Sequence, residues 1–187
     1  IQVFSHADAD AVIALGGGSV IDMAKMINFF GCSKCDPRAY LTGKKKCTGE
    51  NKPFIAVPTT SGTGSEATHF AVLYVDHVKH SIADARILPD VAIIDPGLTM
   101  SMPACLTAIT GMDALSQAIE SYWCINSNDE SKAYAREAIS LAMGNLATAV
   151  NNPSEVARLS MSKAAHLAGK AINITKTTAP HAISYPL

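Results

Sequence analysis

The feature that most constrains the fold is a short apolar run that ends in three consecutive glycines. The run Asp10-Ala-Val-Ile-Ala-Leu15 has the length of a buried strand, and Gly16-Gly17-Gly18 follows it directly. Apolar residues then recur with the period of an α-helix, at Val20, Ile21, Met23, Ala24 and Ile27. We therefore predict a strand, a glycine turn and a helix, with Ser19 as the N-cap of the helix and Asp22 as its capping-box partner.

Further apolar runs indicate that this unit belongs to an α/β sheet. Phe54-Ile-Ala-Val57 and the run from Val91 to Ile94 have the composition of buried strands. Residues 70–75 and 78–82 are predicted to form a hairpin. Short strands that alternate with helices are typical of a parallel sheet.

The pattern changes after Asp95-Pro96, because helical periodicity dominates from Pro103 onward. Candidate helices cover residues 103–123, 129–150, 153–171 and 179 onward. We predict an α/β nucleotide-binding domain over residues 1–97, followed by an all-helical domain over residues 98–187. The chain begins at Ile1 rather than Met and stops within an apolar stretch, so we expect both domains to be incomplete in it.

Charge and hydropathy argue against two classes of partner. The 187 residues include 15 Lys and Arg against 16 Asp and Glu, which gives no electrostatic basis for binding nucleic acid or an anionic membrane. No apolar run in the sequence approaches the roughly 20 residues that span a bilayer. We expect a cytoplasmic protein that acts on small molecules, with no nucleic acid and no membrane among its partners.

The cysteines predict a reducing compartment. Five is an odd number, and the residues are scattered along the chain, so a disulfide framework is not expected. Cys32 and Cys35 form a CxxC, with Cys47 nearby in a lysine-rich stretch. A structural zinc would need a fourth ligand at suitable spacing, and none stands out. We interpret this stretch as a solvated surface loop.

Two loops that follow predicted strands suit a nucleotide. In the turn at residues 16–19, glycines let the backbone approach a phosphate, and the N-terminus of the helix offers free N–H groups. The GxGxxG fingerprint is absent, and a triple-glycine turn alone reflects tight packing more often than a phosphate site. The second loop, residues 58–66, carries five hydroxyl groups and two glycines. Since ligands bind beyond the carboxyl ends of strands, the two loops together favour a nucleotide cleft.

A metal site is suggested by residues that are weak signals individually. Asp113 lies in an apolar stretch, where an unpaired carboxylate is costly. The four-residue spacing places Gln117 on the same helical face. His181 lies near the start of a helix. On spacing alone, ordinary structural roles are more common. A buried Asp is usually satisfied by a cap or a lysine, and a histidine in such a setting usually lies in the core or caps a helix. Together, however, the three side chains form a candidate metal site.

Four ordered motifs give the chain a family resemblance. They are GGGSVIDMAK (16–25), PTTSGTGSEAT (58–68), the stretch Lys79…Pro89-Asp90…Asp95-Pro96, and TGMDALSQAIE (110–120). In this order they resemble the iron-containing alcohol dehydrogenase family, which has a dehydroquinate-synthase-like fold. The resemblance continues into the segment with His181 and covers nearly the whole chain.

The resemblance assigns roles to individual residues. The pyrophosphate of NAD or NADP would be bound by Gly17, Gly18 and Ser19, with Asp22 supporting the loop. The cofactor cleft would be lined by Thr59, Thr60 and Thr63, and Lys79 would reach the ribose. Asp113 and His181 match two metal ligands, and both are expected to act in catalysis. A last histidine ligand is expected beyond Leu187.

Two positions depart from the family pattern. Gln117 stands where members with four protein ligands carry histidine, and an amide oxygen is a harder, weaker ligand than imidazole. We therefore expect one divalent metal, zinc or iron, with zinc preferred. Tyr185 stands where a second histidine is common; its phenol is a candidate catalytic group that would hydrogen-bond the substrate.

The resemblance implies reversible hydride transfer between NAD(P)H and a small aldehyde or alcohol, in a homodimer. The Asp113/Gln117 variant and the segment from Ile174 to His181 resemble the branch that reduces phosphonoacetaldehyde to 2-hydroxyethylphosphonate. Nearby Lys176 would pair with the phosphonate. Two alternatives remain: a lyase like dehydroquinate synthase, and a non-catalytic, cofactor-binding fragment.

Overall fold

The structure is a computed structural model that describes residues 1–7, 9–33, 35–76 and 78–184. In chain order, its helices and strands are α1 (Gln2–His6), β1 (Val12–Gly16), α2 (Gly18–Ser33), α3 (Pro37–Leu41), β2 (Phe54–Pro58), β3 (Phe70–Val75), β4 (Val78–Ala83), β5 (Val91–Ala92), α4 (Ala104–Trp123), α5 (Asp129–Asn151), α6 (Glu155–Thr175) and α7 (Ala179–Ser184). The predicted fold class, an α/β part followed by a helical part, is confirmed.

The parallel sheet places the two candidate nucleotide loops side by side. Its strand order is β1-β2-β5, and Gly16 at the end of β1 lies opposite Pro58 at the end of β2. The N–H of Thr59 donates to the carbonyl oxygen of Gly16 at 3.0 Å. Both loops therefore begin at the carboxyl ends of neighbouring parallel strands. The predicted hairpin is also present, as the antiparallel pair β3 and β4.

Small residues let the helices of the second part pack closely. Where α4, α5 and α6 meet, the buried side chains are mostly those of alanine, at positions 118, 135, 138, 142, 164 and 168. The buried guanidinium of Arg158 on α6 donates to the hydroxyl of Thr107 at 2.7 Å and to the carbonyl oxygen of Met102 at 3.0 Å. Side chains cap two of these helices, Asn128 at the start of α5 and Ser154 at the start of α6.

The loop after β2 joins the two parts of the chain. Gly64 has a φ of +62°, and a Cβ atom there would lie 2.6 Å from the Cα of Gly169 on α6. The hydroxyls of Ser61 and Ser162 are 2.9 Å apart. The loop thus reaches from the sheet to α6 through contacts that only glycine and small side chains permit.

The expectations for the cysteine-rich stretch were wrong in two respects. Cys35 and Cys47 form a disulfide with a Cα–Cα distance of 5.5 Å, and both are buried in a core with Phe29 and Phe30. The reason is that α3, whose N-cap is Asp36, turns the chain back so that Cys47 returns to the end of α2. The lysines at 44–46 are exposed, as expected for a solvated segment.

The predicted capping box at the start of α2 is also wrong. The helix already begins at Gly18, so Ser19 lies within its first turn. The carboxylate of Asp22 instead accepts hydrogen bonds from the hydroxyl of Ser65 and the N–H of Val72. The Asp22 side chain therefore bonds to residues outside the helix rather than to the start of its own helix.

Candidate active site

A cleft of about 1110 Å³ brings most of the predicted site residues together. The residues from that set that line it are Gly18, Ser19, Asp22, Thr63, Lys79, Asp113, Gln117 and His181. Lys176, the proposed anion-binding residue, lines it as well. One cleft thus contains the glycine turn at the start of α2 and the candidate metal ligands of the helical part.

Three of the predicted cofactor residues do not line this cleft. Gly17 packs on Thr60, whose side chain would lie 3.4 Å from a Cβ atom at position 17. Thr59 is tied to the end of β1 through its backbone. Thr59 and Thr60 therefore lie against the glycine turn through Gly16 and Gly17. Tyr185 lies outside the described residues.

The N-terminus of α2 needs glycine because the hydroxyl-rich loop lies against it. A Cβ atom on Gly18 would lie 2.6 Å from Oγ1 of Thr63. The first N–H groups of a helix have no partners within it and are suited to an anion. Those of Val20 and Ile21 donate to the carbonyl oxygen of Gly17, so those of Gly18 and Ser19 are the candidates for binding an anion. The close approach of Thr63 places a hydroxyl group beside those N–H groups.

Asp22 connects three elements that line the cleft. Its Oδ1 accepts a hydrogen bond of 2.6 Å from the Ser65 hydroxyl, and its Oδ2 accepts one of 2.9 Å from the N–H of Val72 on β3. The supporting role expected for Asp22 therefore has a geometric basis in α2, the loop after β2, and β3.

Lys25 is a residue that the sequence motif contained but to which no role was assigned. It is 1% exposed, and its Nζ donates to the carbonyl oxygens of Ser65, Thr68 and Phe70 at 2.7–2.8 Å. Burial lowers the pKa of Lys25 to about 8, against the raising effect of the Asp22 and Glu66 carboxylates. The ammonium group holds the loop after β2 against α2.

The candidate metal ligands come from two helices. Asp113 and Gln117 lie one turn apart on α4, and His181 lies on α7. Nε2 of His181 is 3.2 Å from Oδ1 of Asp113, a separation that suits two atoms each lying about 2.1 Å from one metal ion.

Gln117 provides an independent indication of a ligand at this site. Its side chain is 5% exposed, and its Oε1 is buried without a hydrogen-bond partner among the residues that the structure describes. A buried acceptor left unpaired costs about 1–3 kcal/mol. Such an oxygen, beside a carboxylate and an imidazole, fits a hard divalent cation. Within the described ranges, no group of three His, Cys, Asp or Glu side chains could by itself hold a metal; the Gln117 amide oxygen would add a third ligand to Asp113 and His181.

Glu120 is a site residue that the sequence reasoning missed. It is 1% exposed; its Oε1 is hydrogen-bonded to Nδ1 of His181, and its Oε2 accepts from the N–H and the hydroxyl of Thr178 at 2.6 and 2.9 Å. The spacing Asp113, Gln117, Glu120 follows one helical face and was the available signal.

The charges around His181 favour its protonated form when no metal is present. The hydrogen bond to Asp113 raises the pKa of His181, burial opposes this, and Glu120 adds to the increase. Burial acts to raise the pKa of Glu120, but hydrogen bonds from His181 and Thr178 bring it below its ordinary value. A metal cation would replace the proton on Nε2 of His181, between that nitrogen and Oδ1 of Asp113.

The segment between α6 and α7 carries an unusual backbone conformation. Lys176 has a φ of +68°, a region that non-glycine residues adopt rarely and that is concentrated at functional sites. The next residue but one, Thr178, is held by Glu120. Lys176 therefore lines the cleft two residues before the segment that Glu120 holds.

Comparisons with known proteins agree across the chain. A family model described as iron-containing alcohol dehydrogenase matches residues 1–96. A second, described as the C-terminal part of the Fe-containing alcohol dehydrogenase family, matches residues 107–187. No helix in the described part of the chain is long and apolar enough to cross a membrane.

Individual relatives fall into the same group. The chain is 40% identical over 181 residues to long-chain-alcohol dehydrogenase 1 of Geobacillus thermodenitrificans, covering 95% of the chain and 46% of that protein. It is 36% identical to phosphonoacetaldehyde reductase of Streptomyces viridochromogenes, covering 96% of the chain and 48% of that protein. The crystal structure of sulfoacetaldehyde reductase from Bifidobacterium kashiwanohense in complex with NAD+ superposes with a TM-score of 0.95 at 38% identity, covering 100% of the chain and 50% of that structure. The chain thus spans about half the length of these relatives.

Proposed function

Because this chain belongs to the iron-containing alcohol dehydrogenase family, we propose that its whole protein transfers a hydride between a nicotinamide cofactor and a small aldehyde or alcohol. The observation that carries the proposal is the single cleft that holds both the glycine turn at Gly18 and the candidate ligands Asp113, Gln117 and His181. Hydride transfer needs the cofactor and the polarised substrate oxygen in one dry site, and a cleft with these two ends provides for both.

The cofactor end is assigned to the first turn of α2 and the loop after β2. The N–H groups at Gly18 and Ser19 would bind the pyrophosphate, with the Thr63 hydroxyl beside them. Gly17, Thr59 and Thr60 would shape the two loops at this point. Lys79 on β4 lines the same cleft, and we propose that it reaches the ribose.

The metal end is assigned to Asp113, Gln117 and His181. A divalent metal held there would supply Lewis-acid polarisation of the substrate oxygen. The unpaired Oε1 of Gln117 supports the amide as the third ligand. The family models are described by iron, and that description gives no support to the preference for zinc. We propose iron or a similar divalent metal.

The substrate class is proposed to be an aldehyde with an anionic group. Lys176 lines the cleft near the metal end with its backbone fixed at positive φ. A lysine there is placed to pair with a phosphonate or sulfonate. Relatives described as phosphonoacetaldehyde and sulfoacetaldehyde reductases support this assignment.

The test uses the whole protein that contains this chain. Metal content is measured by mass spectrometry for the wild type and for His181→Ala, followed by reduction of acetaldehyde, phosphonoacetaldehyde and sulfoacetaldehyde with NADH and with NADPH. We expect one metal per chain, its loss in His181→Ala, and a preference for the anionic aldehydes that Lys176→Gln abolishes. A wild type without metal after reconstitution would leave a cofactor-binding protein without this chemistry.

Two further expectations are retained as proposals. The boundary between the nucleotide-binding and the helical part is placed near residue 97, and the whole protein is proposed to be a homodimer. Turnover without net change in cofactor oxidation state would instead point to a lyase on the same fold.

A further inference from the structure

We infer that Glu120 is the positioning residue of the metal end: its carboxylate holds Nδ1 of His181 so that Nε2 faces Asp113. The inference rests on the proposed function, because it takes His181 as a metal ligand. Glu120 lies two turns after Asp113 on α4 and is 1% exposed. A carboxylate buried to this degree needs partners that offset its desolvation.

The partners of Glu120 account for both of its oxygens. Oε1 is hydrogen-bonded to Nδ1 of His181, and Oε2 accepts two hydrogen bonds from Thr178. Thr178 directly precedes α7, the helix that carries His181. One side chain on α4 therefore fixes both the imidazole ring and the segment that presents it.

The chemistry of the pair decides which nitrogen is available as a ligand. An ionised carboxylate accepts hydrogen bonds and donates none. A neutral imidazole has one N–H and one lone pair, and a carboxylate faces each of its two nitrogens. The side chain of Glu120 is 2% exposed and that of Asp113 is 33% exposed, so the contact with Glu120 is less screened by solvent and places the hydrogen on Nδ1 and the lone pair on Nε2. Nε2 is the nitrogen 3.2 Å from Asp113. A carboxylate on the far nitrogen also makes the imidazole a more basic ligand.

A simpler role for Glu120 would be to satisfy the Thr178 N–H at the start of α7. That role requires Oε2 alone and is indifferent to the tautomer of His181. The two roles are separated by Glu120→Gln, which keeps the size of the side chain and an oxygen for Thr178. Its amide nitrogen would donate to Nδ1 and drive the hydrogen of His181 to Nε2.

The experiment compares the whole wild-type protein with Glu120→Gln and with the control Thr178→Val, which removes one hydroxyl from Glu120 without touching the imidazole. Two quantities are measured: the tautomer of His181 from its ring ¹⁵N shifts in the metal-free protein at a pH where the ring is neutral, and the affinity for Zn²⁺ and for Fe²⁺ by competition with a chelator. We expect Glu120→Gln to move the ring hydrogen to Nε2 and weaken metal binding by about 10- to 100-fold. Thr178→Val is expected to change metal affinity by less than about threefold.

Each outcome is decisive. A Glu120→Gln protein in which the hydrogen stays on Nδ1, or which binds metal as tightly as the wild type, overturns the inference. A wild type that binds neither metal contradicts the proposed function, and the tautomer of the metal-free protein still decides whether Glu120 sets the ring.

Discussion

The carboxylate of Asp22 accepts a hydrogen bond of 2.6 Å from the hydroxyl of Ser65. This bond links the helix after β1 to the loop after β2, and both segments line the cleft. The same carboxylate binds the N–H of Val72. Asp22, together with Lys25, therefore helps to set the relative position of the two candidate cofactor loops.

Asp22→Ala is expected to weaken NAD(H) binding by roughly three- to tenfold and to destabilise the protein by about 1–3 kcal/mol, because the Ser65 and Val72 donors lose their acceptor. Titration calorimetry and chemical unfolding give the two quantities. Ser65→Ala removes one of the two bonds and should have a smaller effect on both. Zinc or iron affinity should not change, since the ligands lie on α4 and α7; a parallel loss of metal would contradict this assignment.

Gln117→Leu is expected to have opposite effects on two properties. The metal-free protein should become more stable by about 1–3 kcal/mol, because an unpaired buried oxygen is replaced by an apolar group of similar size. Metal affinity should fall at least about tenfold, because a ligand is lost. Gln117→His is the matched variant and should bind metal more tightly. If Leu leaves metal affinity unchanged, Gln117 is not a ligand.

Gly169→Ala tests the contact between the two parts of the chain. Within a helix, alanine is favoured over glycine by about 1 kcal/mol. At position 169, however, a Cβ atom would lie 2.6 Å from the carbonyl oxygen of Gly64, so we expect destabilisation by about 1–3 kcal/mol. Gly144→Ala on α5 is the control, since a Cβ atom there has no described neighbour within 4 Å, and should be neutral or stabilising. The free energies of unfolding of the two variants show whether each substitution stabilises or destabilises the protein.

Reduction of the Cys35–Cys47 disulfide is expected to lower the free energy of unfolding by about 2–4 kcal/mol. The bond closes a loop with a sequence separation of 12, and a constraint of that length restricts the unfolded chain by roughly this amount. Cys47→Ala should reproduce the loss without reductant. Cys105→Ser, at an exposed free cysteine, should stay within about 0.5 kcal/mol of the wild type. Equal stability with and without dithiothreitol would show that the bond contributes nothing.

Lys25 predicts a stability that rises with pH. Burial lowers its pKa to about 8, from 10.5 for an unburied lysine. Between these values the unfolded chain binds more protons than the folded one, so the free energy of unfolding increases with pH. The whole shift corresponds to about 3 kcal/mol.

The contribution of Lys25 is isolated by comparison with Lys25→Gln, which retains a donor but does not titrate. The difference in unfolding free energy between wild type and variant should move in favour of the wild type from pH 8 to pH 10.5. A difference that is constant across this range, or that moves the other way, would show that the three carbonyl oxygens hold the ammonium group charged.

The local pattern of apolar residues was sufficient to predict most of the helices and strands. The period of apolar residues identified the strand before Gly16, the hairpin and the long helices, because each of these elements is defined by which of its own faces is buried. It also placed Asp113 and Gln117 on one face of α4. The catalytic role expected for Tyr185 stays a prediction, since this residue lies outside the described residues.

The errors arose where a residue found its partner far along the chain. Asp22 was assigned to Ser19, three residues away, but it binds Ser65 and Val72. No disulfide was expected in the stretch that contains Cys35, but α3 returns Cys47 to it. Hydrogen bonds and disulfides are made between neighbours in space, and a periodic pattern contains no information about which distant segment will be adjacent.

The sequence by itself determined the order of strands and helices and the chemical character of the site, because backbone periodicity and side-chain type are local properties. Only the tertiary structure decided that Lys25 would hold the loop after β2 and that Glu120 would hold His181. The two side chains are buried charges, and a buried charge is stable only where distant groups converge on it. That convergence is a property of the packed chain and not of any one segment.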